Sequence, residues 1–341
     1  MSAIDDSHIA VIGAGIAGLA CADILQRAGR RVSLFDKSRG VGGRMSTRRG
    51  DDWQCDHGAQ YFTARDADFY AEVSRWRQAG VADLWQPRLR VWDGALLPDA
   101  DSAVERFVGT PRMTAPARWL IDNFLRDDSP KKNLTLHLQT TIQRLERRHN
   151  GWHLFAAEHG WLTECFDAVL LALPAPQVLP LLEHKAPELA ALAGRAKMRP
   201  CWALMLQYDA PLELPFDALF VNRGPLRWLA RDTSKPARSG RETWLLHANA
   251  DWSEQHLDSE ADCVAAILSA AFAEIGGSPS QTWTAHRWRY ANTEQILVDG
   301  CEWSATSGLG ICGDWLNGGK VEGAWLSGRE LARKVLQSPF N

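Results

Sequence analysis
At 341 residues the chain is long enough for roughly two domains, and 45% hydrophobic with 23% charged residues fits an ordinary globular protein rather than a disordered one. A net charge of −3 gives no general reason for nucleic acid or an anionic membrane as partner. No apolar run nears the roughly 20 residues of a membrane span, and seven scattered cysteines without CxxC, like ten histidines without HExxH, predict neither a disulfide framework nor a metal site. The opening "MSAIDDSHIAVIG" lacks a basic, cleavable leader pattern, which predicts a cytoplasmic protein.

The first elements lie in "HIAVIGAGIAGLACADILQRAGRRVSLFDKS". Ile9 to Ile12 form an apolar strand that runs into Gly13, and Ile16, Leu19, Ala20, Ile24 and Leu25 recur at helical spacing until Gly29. This strand–turn–helix context gives the GxGxxG spacing its meaning. Gly13 permits the tight turn, Gly15 lets a pyrophosphate approach the backbone, and Gly18 lets the helix pack closely. The helix N-terminus offers unpaired N–H groups to phosphate. Asp36 follows the second strand, roughly 20 residues on, where a carboxylate can hold a ribose 2′-hydroxyl, so an unphosphorylated ADP half is expected. The bland alternative is a chance glycine turn in an unrelated strand–helix–strand unit. "KSRGVGGRM" then adds a second glycine pair with an arginine; of the bases between Arg27 and Arg49, Lys37 and Arg44 stand apart and most others read as solvated charges.

Further along, "DADFYAEVSRWRQAG" predicts a helix, and "LTLHLQTTIQRLERRHNGWHLF" predicts consecutive strands with a hairpin turn at Asn150-Gly151. "FDAVLLALPAPQ" reads as a buried strand entering a proline-rich loop. "CWALMLQY", "ALFVN", "LRWLAR", "TWLLHAN" and "TWTAHRWRY" are closely spaced strands, which points to an antiparallel sheet. In the last, Thr284, His286, Trp288 and Tyr290 share one face and Arg287 takes the other. No GxSxG is present, and the SxxK match at Ser129 to Lys132 sits alone in a polar loop, so hydrolase readings fail.

Near the C-terminus "GLGICG", Gly308 to Gly313, repeats the glycine spacing but not the context. The polar "CEWSATS" before it predicts no strand, and the apolar strand lies inside the match at Leu309 to Cys312. A turn into a strand that ends at Gly313 and Asp314 is therefore expected. In the helix "VEGAWLSGRELARKVL", Gly323, Ala324, Ser327 and Gly328 form a small-residue face, read either as close packing on a neighbouring strand or as ligand contact.

"GGRM" resembles the flavoprotein family of the monoamine and polyamine oxidases. "DHGAQYFTA", "HRWRYA" and "CGDWLNGGKVEGAWLSG" resemble, over essentially the whole chain, the bacterial renalase-like members. The resemblance implies an α/β fold: a Rossmann-like FAD-binding domain with a parallel sheet, made of residues 1–65, 116–182 and 301–341, and an inserted α+β substrate domain on an antiparallel sheet, residues 66–115 and 183–300. It implies noncovalent FAD, with Gly42, Gly43 and Arg44 beside the pyrophosphate, the backbone near Ile142 at the adenine, Asp314 on the ribitol chain, and the helix start Val321, Gly323 and Ala324 at the pyrimidine side of the flavin. The implied reaction is oxidation of 2- and 6-dihydro isomers of NAD(P)H, with molecular oxygen reduced to peroxide. Gln60 and Tyr61 are expected beside the flavin. Gln60 and His247 are expected to bond the donor's carboxamide or ribose, and Tyr61 and Trp288 to wall its ring; ordinary core packing is the alternative for each. A small-amine oxidase is the rival reading, although no lysine of the kind those enzymes often bond through water to the flavin can be placed. An NADPH reductase lacks a second credible fingerprint, and a non-enzymatic flavin-binding sensor is the reading from another class.

Overall fold
The computed structural model describes residues 7–98, 103–126, 133–295 and 297–338; the Ser129–Lys132 match lies outside the described residues. The chain opens with β1 (His8–Ile12), α1 (Ile16–Arg27), β2 (Arg31–Phe35), β3 (Thr47–Arg49), β4 (Gln54–Asp56), α2 (Ala67–Gln78), β5 (Ala82–Leu84), β6 (Leu89–Trp92), β7 (Leu96–Pro98) and β8 (Phe107–Gly109). There follow α3 (Ala115–Arg126), β9 (Leu134–His137), β10 (Ile142–Arg148), β11 (Gly151–Ala156), β12 (Gly160–Trp161), β13 (Ala168–Leu171), α4 (Ala175–Leu182) and α5 (Pro187–Gly194). The remainder holds β14 (Met198–Tyr208), β15 (Ala218–Val221), β16 (Leu226–Arg231), β17 (Glu242–Ala248), α6 (Ala250–Gln255), α7 (Ala261–Glu274), β18 (Thr282–Thr293), β19 (Cys301–Ser304), β20 (Leu309–Cys312) and α8 (Val321–Gln337).

The chain divides into two units, Met1–Gly43 with Ala117–Met198 and Thr293–Asn341, and Arg44–Pro116 with Arg199–Asn292. These borders differ from those expected. Residues 44–65 belong to the second unit because β3 pairs with β4, and the Asp56 carboxylate at the end of β4 is tied to Lys235 and Arg238. Residues 183–198 belong to the first because Leu189 and Ala193 of α5 pack into its core.

Unit 1 is built on a six-stranded sheet, order β19-β20-β13-β1-β2-β9. β1, β2, β9, β13 and β20 run parallel, and β19 is antiparallel to β20. The central strands are buried throughout, as their unbroken apolar runs require. Each Leu or Ile so buried contributes about 1.5–3 kcal/mol, which makes this sheet the rigid platform for the loops at its ends. β19 corrects the expectation that no strand precedes the second glycine match. It is an edge strand in which only Cys301 is fully buried, so a polar composition was compatible with pairing. The hairpin forms at Asn150-Gly151 as β10–β11, with Arg148 opposite Gly151, while β9 joins the parallel sheet instead of continuing that meander.

Unit 2 holds a seven-stranded sheet, order β18-β14-β17-β16-β15-β6-β7. It is antiparallel where expected, except that β6 pairs parallel with β15. One face, with Leu204, Leu206, Leu229, Trp244 and Leu246, packs with Leu268 and Phe272 of α7. By the two-residue period the opposite face carries Leu245 and His247, and Trp228, the register partner of His247, lies on it too. Among the described residues no helix is long and apolar enough to cross a membrane.

Candidate active site
In unit 1 the glycine turn joins β1 to α1. Gly13 has φ +109°, its N–H donates to the Phe35 carbonyl at 2.7 Å, and a Cβ there would lie 2.4 Å from the Ala172 carbonyl oxygen. A Cβ on Gly18 would lie 1.8 Å from the Gly13 carbonyl oxygen, so the helix can press on its own entry turn only with glycine at that position. Gly15 differs from both. Its φ of −72° suits any residue, and a Cβ there meets nothing within 4 Å. No neighbour within the protein therefore demands glycine at this point, and the backbone stands open to an approaching group. The N-terminus of α1 has no side-chain cap and no acidic residue in its first turn, which leaves its N–H groups for an anion.

Asp36 braces this turn. Its Oδ2 accepts the Ala14 N–H and its Oδ1 the Ser38 N–H, each at 2.8 Å, and a carboxylate has further lone pairs for a ribose hydroxyl. Gly42 donates its N–H to the Ala14 carbonyl at 2.8 Å, and a Cβ on Gly43 would lie 3.2 Å from the Gly15 Cα, so the second glycine pair folds onto the first turn. Lys37 is exposed, and Ile142 is buried in the unit 1 core at the start of β10. Arg44 opens unit 2, where its Nη1 donates to the Ala291 carbonyl at 3.1 Å.

At the far end of the chain β20 delivers Gly313 and the buried Asp314, as expected. The Asp314 carbonyl accepts the Asn317 and Gly319 N–H groups at 2.9 and 2.8 Å, which fixes the loop before α8. The small-residue face of α8 turns out to be a packing face. A Cβ on Gly328 would lie 1.9 Å from the Ala17 carbonyl of α1, a helix rather than the strand anticipated, and one on Gly323 would lie 1.6 Å from the Asn317 carbonyl. Ser327 Oγ accepts the Gly313 N–H at 2.9 Å and donates to the Gly300 carbonyl. Ala324 is buried beside them, and Val321 begins a helix with no side-chain cap, so backbone N–H groups are what its first turn presents.

In unit 2 the segment after β4 meets the face of the large sheet opposite α7. The His57 carbonyl accepts both the Trp288 indole N–H at 2.8 Å and the His247 Nε2–H at 3.0 Å, which sets the His247 tautomer. The His57 ring stacks on Trp288, centroids 5.2 Å apart, and meets His286 edge-on at 4.8 Å. The expected alternation of β18 holds: His286 and Trp288 are neighbours at 4.4 Å, and Arg287 turns away to the Leu257 carbonyl. Tyr61 lies beside Trp228 at 5.6 Å, with the Arg106 guanidinium over its ring at 5.5 Å. Burial, then His286 and Arg48, lowers the His57 pKa to about 3. Burial above all also lowers His247 to about 4, and burial with Arg48 lowers His286. All three imidazoles are neutral near pH 7.

Gln60 is tied into the protein on both sides of its amide: the nitrogen donates to the Asp56 and Gly58 carbonyls, and the oxygen accepts from Lys235 Nζ at 3.3 Å. Lys235 belongs to a buried charge cluster that sequence reading missed. Its ammonium reaches Asp232 Oδ1 at 2.8 Å and Asp56 Oδ2 at 3.0 Å, so with Gln60 all its N–H groups are used. Arg238 binds Asp56 Oδ2 at 2.5 Å, and Asp56 Oδ1 accepts from Thr47 at 2.6 Å. Burial alone raises the Asp56 pKa, but Lys235 and Arg238 outweigh it and hold the group at about 2. Among the described residues no group of three or more His, Cys, Asp or Glu side chains is arranged to hold a metal.

Residues 11–75 match the family described as NAD(P)-binding Rossmann-like domain. The tRNA 5-methylaminomethyl-2-thiouridine biosynthesis bifunctional protein MnmC of Magnetococcus marinus is 30% identical over 232 residues, 57% of this chain and 33% of that protein. The L-amino-acid oxidase of Siganus canaliculatus is 42% identical over 55 residues, 16% of this chain and 10% of that one. The matches thus span a third or less of these relatives' own lengths. Among solved structures, a candidate protoporphyrinogen oxidase from Exiguobacterium superposes with TM-score 0.74 at 13% identity over 99% of this chain and 100% of the other. Cyclohexylamine oxidase from Brevibacterium oxydans gives 0.71 at 12% identity over 97% and 99%. At these identities the likeness is one of fold, and the fold is that of the flavin amine oxidases.

Proposed function
We propose that the protein is an FAD-dependent oxidase of the renalase type, which converts the 2- and 6-dihydro isomers of NAD(P)H to NAD(P)+ with oxygen as acceptor. The residues of unit 1 fit a noncovalent dinucleotide cofactor, since Gly15 is a glycine that no protein neighbour requires. In this reading the Gly13–Gly18 turn and the α1 N-terminus take the pyrophosphate with Gly43 and Arg44. Asp36 takes the adenosine ribose, the backbone near Ile142 meets the adenine, and Asp314 takes the ribitol. The N–H groups at Val321 to Ala324 favour negative charge on the ring system. When bound, FAD supplies a two-electron acceptor that takes a hydride and is reoxidised by oxygen with release of peroxide.

The observation that carries the choice of donor is the chemistry of the unit 2 face. A dihydropyridine becomes aromatic by losing one hydride, so no base has to remove a proton, and the protein's task is to orient a neutral ring. The face offers neutral imidazoles and indoles in van der Waals array, His57, His247, His286, Trp288 and Trp228, with Tyr61 beside them. A small-amine oxidase is the second reading, favoured by the fold shared with cyclohexylamine oxidase. Against it, Lys235 has its N–H groups committed to Asp56, Asp232 and Gln60, with none left to hold a water molecule. Peroxide release tests the two readings side by side. Borohydride-reduced NAD, which contains the 2-, 4- and 6-dihydro isomers, should yield peroxide, whereas pure 4-dihydro NADH and a panel of primary amines should not. Peroxide from an amine alone would reverse the assignment.

A further inference from the structure
We infer that Gln60, oriented by Lys235, is a positioning residue of the unit 2 face: its amide takes the peptide carbonyls on either side of His57 and so leaves the His57 carbonyl to lock His247 and Trp288. On the reading above, that this face orients the donor ring, both residues act on the reaction through His247 and Trp288.

Residues 56–60 have their backbone groups bonded one after another. The Asp56 N–H donates to Asp232 Oδ1 at 3.1 Å, the His57 N–H to the Ser46 carbonyl at 3.3 Å and the Ala59 N–H to the Arg44 carbonyl at 2.9 Å. A Cβ on Gly58 would lie 2.0 Å from the same Arg44 carbonyl oxygen, so the segment is pressed against that strand entry. The Asp56 and Gly58 carbonyls both accept from the Gln60 amide nitrogen. The carbonyl between them accepts instead from the Trp288 indole at 2.8 Å and from His247 Nε2 at 3.0 Å. A carbonyl oxygen has two lone pairs, so these two donors complete it.

Gln60 can hold two carbonyls only if its nitrogen, not its oxygen, faces them. Lys235 decides this, because an ammonium has donors only and its Nζ lies 3.3 Å from the Gln60 oxygen. The ammonium is held in turn by Asp56 and Asp232, and all three side chains are at most 1% exposed, so the amide is oriented from inside the protein. Two consequences reach the face. Donation to the His57 carbonyl places the His247 proton on Nε2 and leaves Nδ1 as a lone pair in a neutral ring. The same carbonyl pins the Trp288 indole while its ring stacks on His57, centroids 5.2 Å apart. Hydride transfer is sensitive to such placement, since a shift of about 1 Å in a reacting pair can cost on the order of a hundredfold in rate.

Two variants test this. Gln60→Met keeps the length of the side chain and removes its polar groups. Gln60→Glu keeps an oxygen for Lys235 and replaces the N–H donors with a second oxygen, and it carries the same expectation should the first variant fail to fold. In flavin-loaded protein labelled with nitrogen-15 at histidine, wild-type His247 should show one tautomer, protonated at Nε2, and the variants a mixture of both. The limiting anaerobic rate of flavin reduction by borohydride-reduced NAD should fall at least about tenfold, with flavin content unchanged. A single Nε2–H tautomer in the folded variant, or an unchanged rate in a variant whose tautomer has shifted, would overturn the inference while leaving the oxidase reading intact. If wild type itself is not reduced by the mixture, the oxidase reading fails, and the His247 tautomer alone then decides whether Gln60 positions the face.

Discussion
In unit 1 the turn proposed to hold the cofactor is built on glycines, and what they offer is backbone: a turn at Gly13, open space at Gly15, close packing at Gly18. In unit 2 the corresponding residues are large polar and aromatic side chains drawn from four separate stretches, and what they offer is a fixed, uncharged surface. The first kind of site tolerates no added atom where protein meets protein, yet one position accepts an atom freely. The second depends on side chains whose every polar group but a few is consumed by another. Sites for a shared cofactor half are economical to build from backbone, since phosphate asks only for N–H groups. A ring to be oriented asks for side chains.

The largest effect is expected from stripping one charge from the unit 2 cluster. Lys235→Met leaves Asp56 and Asp232 buried with Arg238 alone, and should cost about 3–5 kcal/mol of stability in urea unfolding, as breaking a buried pair does. A loss below about 1 kcal/mol would mean that the cluster contributes little to holding the His57 segment.

A pH series probes the same region more gently. His247 has a folded pKa near 4, below the 6.5 of an unfolded histidine. Its contribution is therefore complete above pH 6.5 and is lost as pH falls towards 4, by ~2–3 kcal/mol. The urea midpoint should drop across that window, and His247→Gln should flatten part of the drop. An unchanged slope in the variant would show that His247 is not the group being protonated.

Two glycine substitutions separate packing from ligand contact in unit 1. Gly18→Ala drives a Cβ to 1.8 Å from the Gly13 carbonyl oxygen, and should cost about 1–3 kcal/mol in thermal or urea unfolding. Gly15→Ala meets no protein atom within 4 Å, and should cost less than about 1 kcal/mol, the scale of an N-cap change, while the purified protein loses most of its bound flavin. Equal effects of the two on stability and flavin content would erase the distinction drawn between packing glycines and a ligand-facing one.

What sequence alone made legible follows the same division. The β1–α1 turn was readable because its determinants fall within a few residues and each glycine has its own geometric reason. The strands of the large sheet were readable from their apolar spacing, down to the alternation that sends Trp288 to one face and Arg287 to the other. β19 was not, because an edge strand needs only one buried residue, Cys301, to pair. The small-residue face of α8 was seen, but its partner, α1, lies some 300 positions away in sequence. Lys235 and Asp56 are 179 residues apart, and nothing local in "RDTSKPARSG" marks that lysine as buried. The same distance along the chain hides the bond between Lys235 Nζ and the Gln60 amide oxygen.

Reduction of the flavin by misreduced dihydronicotinamides can be watched in isolation when oxygen is absent. The yellow protein is mixed anaerobically with borohydride-reduced NAD, with pure 4-dihydro NADH as control, and the visible flavin band is followed. We predict rapid bleaching by the isomer mixture and none by the control. A band that persists with the mixture, or that bleaches equally with 4-dihydro NADH, would contradict the proposed reaction.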